Sequence, residues 1–94
     1  MNKYETIFLM KDDISEEERQ ATINKIKEFL YENGKVTNEE DLGLKTLAYD
    51  IRKHKQAYYF LIEFEAEQNA IYELERIYRI TDEILKFIVV KKND

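Results

Sequence analysis

Apolar side chains recur along the chain in two rhythms. Lys3 to Met10 alternate weakly and are rich in β-formers, which predicts a strand. Ser15-Glu16-Glu17-Glu18 reads as a capping box, with the Ser hydroxyl set to accept from the amide three residues on and Glu18 set to reach back. Its acids also suit the positive end of a helix. Arg19, Thr22, Ile23, Ile26, Phe29 and Leu30 then follow at helical spacing to about Asn33, and Gly34 reads as a helix terminator with positive φ. Lys35 to about Ile51 look extended, with Gly43 marking a bulge or bend. Arg52-Lys53-His54-Lys55-Gln56 reads as a polar turn. Ala57 to Ala66 is the strongest strand, Glu67 to Tyr78 a second helix with a stripe of Ala70, Ile71, Leu74, Ile77 and Tyr78, and Glu83 to Lys91 a last strand.

The order β-α-β-β-α-β, with right-handed crossovers, predicts an α+β fold. It is a ferredoxin-like sandwich in which a four-stranded antiparallel sheet carries both helices on one face. The same unit could be completed by a swapped partner. No linker or repeat interrupts residues 1–94, so one domain is expected.

Strand alternation assigns two faces to that sheet. Tyr58, Phe60, Ile62 and Phe64, with Tyr4, Thr6, Phe8 and Met10 and with Leu85, Phe87 and Val89, are expected to meet the helices. Ile7, Leu9, Leu61, Ile88 and Val90 fall on the opposite, uncovered face. Branched aliphatics in that number suggest a protein-contact surface. The plainer alternative is that several lie at sheet edges or under the long second-strand hairpin.

Composition narrows the chemistry. The absence of Cys excludes thiolate metal sites and a Cys nucleophile, and one His leaves little for a His-based relay. His54 in its charged surroundings reads as solvated. The run Glu39-Glu40-Asp41 lacks the Gly-centred loop of a calcium hand and reads as a solvated face. No phosphate loop, dinucleotide fingerprint or zinc-protease motif is present. After the first strand stands Met10-Lys11-Asp12-Asp13-Ile14-Ser15, not the Gly- and Arg-bearing cradle of acylphosphatases. The third strand has aromatics but neither the Gly nor the register of an RNA-recognition motif. No cofactor, small-molecule substrate or enzymatic activity is expected. The apolar runs are too short for a secretory signal or a membrane span, so a soluble, cytoplasmic protein without membrane contact is expected. A net charge of −5 weighs against a solitary nucleic-acid clamp. Even so, Lys3, Lys86, Lys91 and Lys92 fall on the first and last strands, expected as neighbours at the sheet centre, and Arg52, Lys53 and Lys55 gather in the turn.

A longer series of residues carries a resemblance over almost the whole chain. It comprises Tyr4-Glu5, Gly34-Lys35-Val36, Leu42 to Ile51, Tyr58-Tyr59-Phe60, Leu74-Glu75-Arg76, Arg79 to Lys86 and Val89-Val90-Lys91. The chain resembles the bacterial small-subunit ribosomal protein six family. Its most specific pieces are the Gly-containing segment leading into Leu47-Ala48-Tyr49 and the run Arg79-Ile80-Thr81-Asp82. The family commonly has Pro where Asp50 stands, often Gly where Ala57 stands, and in many members Arg where Lys86 stands. The resemblance implies a structural component of the small ribosomal subunit that pairs with ribosomal protein eighteen and binds small-subunit ribosomal RNA with it. It implies RNA-facing roles for Lys3, Tyr4, Lys86, Lys91 and Lys92, with Arg52 and Lys53 beside them. It implies partner-facing roles for Tyr49, Asp50 and Ile51 and for open-face residues such as Leu61 and Ile88. A standalone homodimeric interaction domain of the same fold is the rival reading.

Overall fold

The computed structural model describes residues 1–92. Its elements are β1 (Asn2–Lys11), α1 (Glu16–Asn33), β2 (Gly34–Ile51), β3 (His54–Ala66), α2 (Gln68–Ile80) and β4 (Ile84–Lys92). The sheet order is β2-β3-β1-β4 with every pairing antiparallel. This is the expected ferredoxin-like sandwich, with β1 and β3 as the inner strands.

The helices bury one sheet face. Ile23, Ile26 and Leu30 of α1 and Leu74 and Tyr78 of α2 meet Tyr4, Phe8 and Met10 of β1 and Phe60, Ile62 and Phe64 of β3. Phe8 packs 5.6 Å from Phe60 and 5.5 Å from Tyr78, and Tyr78 stacks on Phe87 at 4.8 Å. One polar pair is sealed in this layer. Thr6 Oγ1 donates to the Ile88 carbonyl at 2.8 Å and lies 2.9 Å from the Tyr78 hydroxyl. Burial pushes the Tyr78 phenol well above its ordinary pKa.

The capping box of α1 forms as its sequence dictates. Ser15 Oγ accepts from the Glu18 amide at 3.1 Å, and Glu18 Oε1 accepts from the Ser15 amide at 3.1 Å. At the other end, Gly34 differs from expectation. Its φ of 177° is extended, and β2 starts there without a left-handed cap. Gly is needed because β2 runs tight against β3, where a Cβ would lie 1.9 Å from the Glu65 carbonyl oxygen.

β2 breaks register with β3 three times, at Val36/Asn38, Asp41/Gly43 and Thr46/Ile51. Gly43 takes φ 79° at the second break, and its amide donates to Asp41 Oδ1 at 2.9 Å. The acidic run alongside is not simply solvated. Glu39 pairs with Lys27 and Asp41 with Arg19, each at 3.0 Å, tying this edge to α1.

Three further expectations change. The polar turn shrinks to Arg52 and Lys53, both at positive φ (47° and 68°), the signature of a two-residue type I′ hairpin; His54 to Gln56 already belong to β3. Leu85 is an extra residue in a β4 bulge, because Leu9 faces Lys86 while Met10 faces Ile84, so Ile84 enters the core in its place. The lysines of β4 do not lie at the sheet centre, since β4 is an edge strand.

Candidate nucleic-acid interface

The end of α2 and the hairpin tip build one cationic groove. Thr81 stops α2, donating its hydroxyl to the Ile77 carbonyl at 2.6 Å and accepting from Lys25 Nζ at 3.1 Å. This fixes Arg79 in the last helical turn, on the groove wall. The left-handed Arg52 sends its guanidinium across to the Ile84 carbonyl at 2.6 Å and to within 3.9 Å of Asp82. Lys86, just past the bulge, supplies a third cation. The resulting groove has a volume of about 480 Å³ and is lined by Arg52, Arg79 and Lys86, with Asp82 as its one acid. Lys11 donates to that acid at 2.9 Å and holds its carboxyl below the ordinary range, with Arg52 adding to the effect. The acid is thus already neutralised by Lys11 from outside the groove. Arg79 has a long contact to Glu75, at 3.4 Å, and its guanidinium lies 6.0 Å from the Phe87 ring centroid.

Past this groove the chain of β2 covers part of the open sheet face. Leu47 to Asp50 stand opposite Lys55 alone, so they leave the ladder. They fold over the sheet, where Leu47, Tyr49 and Ile51 share a small cleft with Leu9, Tyr59 and Lys86. Leu9 and Ala57 are buried there, as covering by the hairpin requires. Lys86 Nζ donates to the Tyr49 hydroxyl at 3.2 Å and sits 5.6 Å from its ring centroid. Tyr49 remains 64 % exposed, and Asp50 beside it is exposed. Beyond this strap, Ile88, Ile7 and Leu61 lie in one register row across β4, β1 and β3, with Ile88 and Val90 about half exposed.

The other residues proposed from the sequence are dispersed. Lys3 and Lys92 face each other in register at the opposite end of the open face. Lys92 already lies 3.7 Å from Glu5 and 3.5 Å from Glu63. Lys91, opposite Tyr4, lies by the cleft between α2 and β4 with Ile71 and Tyr72. Tyr4 is 5 % exposed and stacks on Phe64 at 5.5 Å, so its ring is committed to the core and presents no face to a base. Lys53 is exposed at the hairpin tip. The structure therefore brings Arg52 and Lys86 together, leaves Lys3, Lys91 and Lys92 elsewhere, and adds Arg79. In the sequence Arg79 stands out only as part of the run Arg79-Ile80-Thr81-Asp82. Its signal was its place in the last turn of α2, one short turn before β4.

The family model described as Ribosomal protein S6 matches residues 3–91. The small ribosomal subunit protein bS6 of Helicobacter acinonychis is 45 % identical over 92 residues, covering 97 % of this chain and 65 % of its own length. That of Helicobacter hepaticus is 46 % identical, covering 97 % and 67 %. The chain thus spans slightly less than two thirds of the first of these relatives. The crystal structure of 30S ribosomal protein S6 from Thermotoga maritima superposes with a TM-score of 0.92 at 30 % identity, covering 97 % of this chain and 87 % of that one.

Proposed function

Because the chain belongs to the ribosomal protein S6 family, we propose that it is a structural, non-enzymatic component of the small ribosomal subunit in the cytoplasm, where it binds small-subunit ribosomal RNA together with ribosomal protein eighteen. The observation that carries this reading is the Lys86–Tyr49 contact. It joins the cationic groove of Arg52, Arg79 and Lys86 directly to the strap of Tyr49, Asp50 and Ile51 and to the apolar row of Ile7, Leu61 and Ile88. A partner seated on the strap and the apolar row would border any phosphate held in the groove.

The groove suits positioning on a phosphate backbone. Its cations are long, solvent-facing side chains, which neutralise phosphates without reading base edges. Lys86 contributes a point charge, without the bidentate fork of Arg. The protein's net charge of −5 makes the isolated chain a weak RNA ligand, and a basic partner supplies what is missing. Lys53, exposed at the hairpin tip, extends the RNA contact outward from the groove, and Lys3, Lys91 and Lys92 offer a separate contact away from it.

Filter binding on central-domain ribosomal RNA tests the proposal. The chain alone binds weakly, and addition of ribosomal protein eighteen raises affinity sharply. Arg79→Ala and Lys86→Ala each lower the affinity of the pair and reduce the slope of log K against log salt by about one. Tight binding without the partner, or a concentration-independent homodimer in sedimentation, refutes it. The dimer would favour the rival reading of a self-associating interaction domain.

A further inference from the structure

His54, the only His of the chain, is not solvated. It starts β3 beyond the end of β1, with its side chain 16 % exposed, and its Nδ1 lies 2.7 Å from Asp12 Oδ1 in the turn between β1 and α1. Asp13 stands next to Asp12, and one ligand atom from each of the three residues lies within 4.8 Å of the others. We propose that Asp12, Asp13 and His54 form a divalent transition-metal site, of the zinc type, that fastens the tip of the β2–β3 hairpin to the β1–α1 turn.

Charge and donor chemistry both favour a dication. The two carboxylates have no Lys or Arg ion pair among the described residues. Of the nearby cations, Lys11 is engaged with Asp82 and Arg52 with the Ile84 carbonyl, while Lys53 and Lys55, on either side of His54, are exposed. An imidazole with two carboxylates suits zinc, cobalt or nickel, whereas magnesium and calcium take oxygen ligands alone. Three protein ligands leave a position for water. In a tetrahedral site, bonds of about 2.1 Å set ligand atoms about 3.4 Å apart, so Asp13 must close in while Asp12 and His54, now 2.7 Å apart, part slightly to admit the ion. Asp13 is exposed on its turn and can do so by a change of rotamer.

The test is calorimetric titration of Zn²⁺ into the full chain in a non-chelating buffer, repeated with Asp13→Asn and His54→Gln. Circular dichroism confirms that each variant is folded, and Co²⁺ serves as a spectroscopic probe. The expected result is one saturable site per chain, visible Co²⁺ absorption bands, and no competition from excess Mg²⁺. Each variant should weaken Zn²⁺ binding by at least about tenfold, since even an outer-shell change costs that much. Asp13→Asn carries the test if His54→Gln disturbs the hairpin. Absence of a saturable site, or Zn²⁺ binding kept by folded Asp13→Asn, overturns the proposal.

Discussion

Replacing Thr6 by Val should destabilise the protein more than replacing Tyr78 by Phe, although the two share one hydrogen bond. Both residues are fully or almost fully buried, at 0 % and 1 % exposure. Tyr78→Phe removes a hydroxyl and leaves Thr6 still donating to the Ile88 carbonyl, a loss of about 1 kcal/mol. Thr6→Val removes both bonds and strands the Tyr78 hydroxyl in an apolar layer, at about 2–3 kcal/mol. In the double variant no hydroxyl is stranded. It should therefore be more stable than Thr6→Val alone, by about 1 kcal/mol. For a chain of this size each kcal/mol shifts Tm by roughly 4–8 °C, which circular dichroism melts resolve easily.

The same pair has a pH signature. The Tyr78 phenol is raised by burial, so the folded protein keeps its proton where the unfolded chain begins to lose it, near pH 10. The stabilisation of the protonated phenol is complete below pH 10 and is lost as pH rises above it, with a slope from this group approaching 1.4 kcal/mol per pH unit at about 25 °C. Tyr78→Phe removes that slope. Additive costs in the double variant, or an unchanged alkaline slope in Tyr78→Phe, would refute the reasoning.

Other positions give sharper contrasts. Gly34→Ala drives a Cβ into the Glu65 carbonyl and should cost about 3 kcal/mol or more in urea unfolding, because backbone must move. Gly43→Ala meets no atom within 4 Å and should cost only about 1–2 kcal/mol, the strain of a left-handed Ala. Ser15→Ala opens the capping box and should lower stability by about 1 kcal/mol, seen in the same experiment. Lys86→Ala should lower RNA affinity and also release Tyr49, so hydrogen exchange at residues 47–51 should rise, whereas Arg79→Ala should lower affinity without that effect.

Much of the fold was legible because local signals agreed with the tertiary outcome. Phe60, Ile62 and Phe64 alternate without exception, and Ser15 with Glu18 specify a helix start by their own chemistry. What the sequence hid was set by partners distant along the chain. Nothing near Gly34 announces that Glu65 will press on it, so a Gly after a helix reads as a left-handed cap. The bulge at Leu85 exchanges it for Ile84 in the core and depends on how β4 meets β1. Tyr4 sits in a motif that suggested RNA, but its register opposite Phe64 places it inside. The groove of Arg52, Arg79 and Lys86 joins three elements and leaves no spacing in the sequence to find it by. His54 and Asp12, 42 residues apart, are brought together only by the overhang of β3.

The position of β4 at the sheet edge has a consequence for handling the protein. A free strand edge beside Phe87, Ile88, Val89 and Val90 is a template for pairing with another chain. Lys86 on one side and Lys91 and Lys92 on the other bracket that apolar run, as gatekeeper charges do. The opposite edge, β2, is blunted by its three breaks in register. The lysines proposed for RNA contact thus also keep the molecule from adding strands of its own kind. A variant stripped of all three would lose solubility along with affinity, so the two losses must be separated by sedimentation before either is assigned.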